Sequence, residues 1–139
     1  MMMDVIYDSV EGVLPFLMYF GAAIVALAAF ARIYSWVTPY DEVELIKNNN
    51  PAAATTFVGA MLGFGIPVYS ALDNSLSLID FAVWATIALV VQVLTFVLLR
   101  KLVYPKLVER IEQGEIAAAI KIAGVSIVVG LINAGSMTY

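Results

Sequence analysis

Four long apolar runs alternate with short polar stretches along the chain. Leu14 to Val37, Ala52 to Leu72, Leu78 to Val103 and Ile116 to Ser136 are apolar on every helical face, the pattern of a helix buried all round or set in lipid. The first run has 24 residues, and a helix of that length rises ~36 Å, enough for a ~30 Å hydrocarbon core with some tilt. Pro39 to Asn49 and Lys106 to Gln113 read as short interfacial helices, the second with Leu107, Val108 and Ile111 on its apolar side. Thr38-Pro39 and Tyr104-Pro105 stop the runs before them, because a residue preceding proline leaves the helical region. Asn49 and Gly114 stand where each short helix ends and suit the left-handed position there. Pro51 fits the first turn of the next helix. Pro67, inside the second run, denies the Gly63 carbonyl its usual partner, so a kink is expected beside Gly63 and Gly65. Asp73-Asn74-Ser75 forms a polar turn.

The same plan is written twice, 65 residues apart and without a gap. Val43 falls on Val108, Glu44 on Glu109, Ile46 on Ile111, Ala52-Ala53-Ala54 on Ala117-Ala118-Ala119, Gly59 on Gly124 and Gly65 on Gly130. Phe16, Ala23 and Val25 fall on Phe81, Ala88 and Val90. This predicts an internal duplication, with residues 1–73 as the first two-helix repeat and 74–139 as the second, in one integral membrane domain. The expected fold class is an all-α membrane protein with four transmembrane helices, arranged as two tandem parallel two-helix repeats. Each repeat carries a short cytoplasmic interfacial helix.

Composition agrees with a membrane setting. Of 139 residues, 63 % are apolar, 13 % are charged, and mean hydropathy is +0.95; a soluble domain of this size cannot hide so much apolar surface. All seven Lys and Arg (Arg32, Lys47, Arg100, Lys101, Lys106, Arg110 and Lys121) belong to one side. The positive-inside rule then sets both interfacial loops in the cytoplasm and both termini outside. Two spans per repeat make the repeats parallel, related by an axis along the membrane normal. Arg32 and Lys121 either snorkel to the cytoplasmic boundary or line an inner vestibule. Tyr34 and Trp36 are expected to mark that interface. The N-terminal stretch is acidic and lacks the basic region of a signal peptide, so the first apolar run is expected to be retained.

Thr38-Pro39-Tyr40-Asp41-Glu42, Pro51-Ala52-Ala53-Ala54, Gly59-Ala60-Met61-Leu62-Gly63-Phe64-Gly65, and the ending Asn133-Ala134 with Met137-Thr138-Tyr139 together resemble the YjfL-type bacterial inner-membrane family, a domain of unknown function. The resemblance covers nearly the whole chain. It implies a four-span protein with tandem copies in the bacterial plasma membrane, and it brings no activity.

Six residues are candidates for function. Asp80 is read either as a helix N-cap or as a cation or proton ligand at the outer mouth. Gln92 and Asn133 are read as interhelical hydrogen-bonding glue or as part of an ion path. Asn133 matches Val68 beside Pro67, so the freed Gly63 carbonyl and the Asn133 amide together would suit a small cation. Asp41 and Glu42 serve the dipole of their helix or offer a docking surface to a cytosolic partner. Gly59 and Gly63 form a GxxxG packing pattern.

The chain has no Cys and no His, and no nucleophile–base motif is recognisable, so an enzyme is not expected. No metal site and no cofactor are expected, and no nucleic-acid groove. The outer side holds acids without a base, which concentrates cations. The favoured expectation is a small cation- or proton-linked transporter or channel. Four helices are few to enclose a water path, so that function requires a homo-oligomer in the bilayer. The alternative is a structural or partner-recruiting membrane protein without transport activity.

Overall fold

The computed structural model describes residues 1–137; Thr138 and Tyr139, part of the ending that carries the family resemblance, lie outside the described residues. Seven α-helices follow in order: α1 (Met2–Glu11), α2 (Val13–Val37), α3 (Glu42–Lys47), α4 (Pro51–Asn74), α5 (Leu78–Leu98), α6 (Leu107–Glu112) and α7 (Ile116–Ser136), with a π-helical turn over Leu99–Val103 between α5 and α6. No strand occurs among the described residues. Among the described residues, four helical stretches are long and apolar enough to cross a membrane: Met2–Val37, Pro51–Asn74, Leu78–Val103 and Ile116–Ser136.

The first of these is longer than its apolar run. The acidic stretch before Leu14 is itself helical, as α1. Pro15 has no N–H to donate to the Glu11 carbonyl, and α1 is separated from α2 at that point.

The centre of the molecule is the pairing of α4 with α7, the most extensive contact between elements. The two run parallel: Gly59 lies against Ala123, Gly63 against Ser126 and Gly130, and the Ser70 hydroxyl donates to the Ala134 carbonyl at 2.9 Å. A Cβ on Gly63 would strike the Ser126 carbonyl and the Gln92 amide, and one on Gly130 would strike the Gly63 backbone. Glycine is therefore required at both positions. The GxxxG pattern of α4 thus joins α4 to α7. Around this pair, α5 packs on both α4 and α7, α2 packs on α4, and α2 and α5 also touch.

A spacing of 65 residues recurs in the element boundaries: α3 with α6, and the start of α4 with the start of α7. Asn49 (φ 61°) and Gly114 (φ 76°) both take the left-handed conformation. Each closes the same double hydrogen bond: Asn49 N–H to Ile46 O with Asn50 N–H to Leu45 O, and Gly114 N–H to Ile111 O with Glu115 N–H to Arg110 O. This is the Schellman turn. The halves differ one turn earlier. Thr38 N–H bonds to Tyr34 O, whereas Tyr104 N–H bonds to Leu99 O. The matched carbonyls of Tyr34 and Leu99 therefore end their helices over four and five residues. The π turn absorbs one extra residue ahead of Pro105.

Asn50 ties the two short-helix turns together. Its Oδ1 accepts from the N–H groups of Ala52 and Ala53, capping α4, while its Nδ2 donates to the carbonyls of Ile111 and Glu112 at the end of α6. Such a cap is worth about 1 kcal/mol.

Candidate functional site

Besides Ser70, the buried polar side chains fall into two clusters, one at mid-height and one at the end carrying the Lys and Arg residues. At mid-height, Gln92 of α5 reaches into the α4–α7 seam. Its Nε2 donates to Gly63 O at 3.0 Å and to Ser126 O at 2.9 Å. The Gly63 carbonyl is the one that Pro67 deprives of a helical N–H, and α4 runs on through Pro67. Gln92 supplies the missing donor. Gly63 and Gln92, two candidates from the sequence, are therefore brought together and bonded to each other. Asn133 is not among the partners of this node; its Nδ2 is buried without a hydrogen bond.

Asp80 lies in the first turn of α5. Ser77 caps that helix by accepting from Asp80 N–H at 3.1 Å, and the Asp80 carboxylate accepts from Leu76 N–H at 3.0 Å. The N-cap is therefore Ser77 and not Asp80, which stands two residues inside the helix and turns its carboxylate back to the chain before it.

The cluster at the basic end is built by the C-terminal turns of α2, the connection after it, and α3. Phe30 and Tyr34 lie one helical turn apart on the inner face of α2, 1 % and 2 % exposed. The Tyr34 ring meets Phe57 and Phe96 edge-on, at 5.9 and 5.4 Å between centroids. Tyr34 therefore points into the bundle, correcting its expected place at the interface; Trp36, two residues on, faces outward. Tyr40 is buried beyond Pro39.

Asp41 and Glu42 part company. Asp41 is the exposed N-cap of α3, its Oδ1 accepting from Glu44 N–H at 3.2 Å. Glu42 turns inward and is 3 % exposed, so it lies off the outer surface on which a docking partner would act. The Ser35 hydroxyl donates to Glu42 Oε1. Glu42 Oε2, the Tyr34 hydroxyl and the Tyr40 hydroxyl are buried and make no hydrogen bond. A buried polar atom left so costs about 1–3 kcal/mol. Burial pushes the Glu42 carboxyl up; the Ser35 hydroxyl opposes that and the Asp41 charge adds to it. Burial also raises the Tyr40 hydroxyl, partly offset by the Tyr34 and Thr56 hydroxyls beside it.

A groove of about 540 Å³ runs between α2 and α3 to this cluster, with Ala28, Ala31, Val43, Ile46 and Phe57 as apolar walls and Arg32, Lys47, Ser35 and Glu42 as its polar lining. The Arg32 guanidinium lies over the Trp36 ring at 5.5 Å and the Lys121 ammonium over the Tyr104 ring at 5.1 Å. Both bases thus reach toward aromatic rings at the same end of the bundle.

The matched positions in the second half are apolar. At the spacing of 65 residues, Glu42 corresponds to Leu107 and Tyr34 to Leu99. Leu107 is 0 % exposed. Two acids face a leucine at that spacing, Glu11 opposite Leu76 and Glu42 opposite Leu107, and only Glu42 is buried, so the sequence alone does not single it out. Tyr34, Ser35, Tyr40 and Thr56 were not legible as partners of Glu42, since a turn and two helices separate them.

The chain matches the model of the family described as Domain of Unknown Function (DUF350) over residues 8–137. It is 40 % identical over 129 residues to the UPF0719 inner membrane protein YjfL of Escherichia coli (strain K12), covering 93 % of this chain and 97 % of that one. The protein of the same name from Escherichia coli O157:H7 matches to the same extent. No solved structure matches. With all four apolar helices inside the matched region or overlapping it, the chain belongs to the DUF350 family, as an integral inner-membrane protein.

Proposed function

We propose that the protein handles a small cation or proton in the membrane, as a transporter or channel formed by several copies of the chain. One observation carries this reading: a carboxylate, Glu42, is buried among hydroxyls in a membrane protein, with one oxygen unbonded, at a position that the other half fills with Leu107. Buried ionisable groups in membrane proteins are costly and tend to mark ion or proton pathways, and Glu42 stands just past the end of the first span. The acids of the opposite end, Asp4, Asp8, Glu11, Asp73 and Asp80, favour cation over anion approach.

The reading includes a tandem duplication of a two-helix unit, with residues 1–73 and 74–139 as its copies. The shared element spacing and the paired left-handed turns at Asn49 and Gly114 support it. It also includes α3 and α6 lying in the cytoplasmic interface and both termini outside, supported by the bases gathered at that end. No cofactor and no enzymatic step enter it. A partner-recruiting role is the rival. The inward turn of Glu42 leaves that rival with Asp41 alone of the two acids it would use.

The test is flux. Proteoliposomes holding the wild-type chain are expected to pass protons or alkali cations, and Glu42→Gln to lose that flux while Asp80→Asn retains most of it. Selective anion flux, or no ion flux in vesicles where crosslinking finds only monomer, overturns the proposal.

A further inference from the structure

Three buried oxygens at the basic end, the Tyr34 and Tyr40 hydroxyls and Glu42 Oε2, have no hydrogen-bond partner, and their residues are all more than nine-tenths buried. Packing does not call for two of them: in the second half Leu99 and Leu107 occupy the positions matched to Tyr34 and Glu42 and are buried as well, while Tyr40 matches the exposed Pro105. Position 42 therefore needs bulk for the fold and does not need charge.

We propose that Glu42, with the hydroxyls of Ser35, Tyr34, Tyr40 and Thr56, binds a single monovalent alkali cation. The site deepens the cation-handling reading above and rests on it. Its donors are all oxygens, and only one carries a charge, so one positive charge neutralises it. Calcium recruits six to eight oxygens, usually with several carboxylates, and magnesium demands a near-ideal octahedron. Softer metals take imidazole or thiolate, and the chain has neither His nor Cys. The oxygens converge: the Ser35 hydroxyl bonds Glu42, Tyr34 precedes Ser35 on α2 and Tyr40 stands two residues before Glu42, and the Tyr34 and Thr56 hydroxyls lie beside that of Tyr40. Ser35 gives its proton to Glu42 Oε1 and Thr56 gives its own to the Ala52 carbonyl, so both present lone pairs. The groove between α2 and α3 provides the way in.

The charged and titratable groups around Glu42 are Arg32 and Tyr34 from α2, Tyr40 from the connection, Asp41 and Lys47 flanking and within α3, and none from the Thr56–Phe57 face of α4. Arg32 is drawn over Trp36, Lys47 is exposed, and neither forms an ion pair with Glu42. No protein base supplies the countercharge. The proposed cation fills that role.

Thermal unfolding of the purified full chain in detergent reads this directly, in sodium, potassium or lithium chloride against choline chloride of equal ionic strength, from pH 5 to pH 9. At least one alkali ion is expected to raise Tm saturably. Glu42→Gln abolishes the ion dependence. Glu42→Leu, copying Leu107, folds at least as stably as wild type and shows no ion dependence, which separates loss of the site from loss of the fold. Tyr34→Phe and Tyr40→Phe each weaken the apparent affinity, by roughly tenfold for a lost ligand oxygen. The proposal is overturned if no alkali ion shifts wild type more than choline does, or if Glu42→Gln keeps the shift. Proton flux that Glu42→Gln removes, in a chain that binds no alkali ion, sinks this site and leaves the broader reading standing. Alkali binding that Glu42→Gln removes, in a chain that conducts nothing, supports the site and sinks the broader reading.

Discussion

Pro67 takes a hydrogen-bond donor out of α4, and the Gln92 side chain returns one from α5. The two residues are coupled through the Gly63 carbonyl. Gln92→Leu strands that carbonyl in an apolar seam and is expected to cost about 1–2 kcal/mol. In a Pro67→Ala background the helix supplies its own N–H, and the same change should cost clearly less. Equal costs in the two backgrounds, measured by reversible unfolding in detergent, would show that the carbonyl is not the link. Half of this node was legible in the sequence, because a proline removes its donor wherever it stands. The other half depends on which face α5 turns toward α4, and no local rule encodes that. Asp41 and Glu42 make the same point. Either acid suits the start of a helix, and only the packing of α3 against Ser35 decides that Asp41 caps while Glu42 is buried.

At the scale of elements, local chemistry reads well. The proline stops, the paired left-handed turns at Asn49 and Gly114 and the four apolar helices all follow from backbone preferences and length. The π turn at Leu99–Val103 arises differently. Its sign in the sequence is that Pro105 lies 66 residues beyond Pro39, one more than the spacing of everything around it. The α4–α7 seam gives the element-scale prediction. Gly63→Ala and Gly130→Ala push backbone against backbone and are expected to destabilise by about 1–3 kcal/mol each. Gly65 and Gly124, on the same two helices, have open space where a Cβ would go. Alanine there should be neutral or stabilising by up to about 1 kcal/mol through helix propensity. Four equal effects in thermal unfolding would mean that the seam is not packed in this way.

Across the whole molecule, the natural lack of cysteine offers a clean background for sidedness. A single cysteine replacing Ser75, in the turn between α4 and α5, is expected to react with a membrane-impermeant maleimide in intact spheroplasts. One replacing Asn48, in the turn after α3, should react only after the membrane is opened; the reverse pattern would invert the proposed orientation. The contact of Gly63 with Gly130 has a further consequence at this scale. Where two bare backbones meet halfway along the bundle, no room is left for a file of water molecules down the middle of one polypeptide. On the proposed transport reading, a permeating ion would have to thread the crevices between copies of the chain.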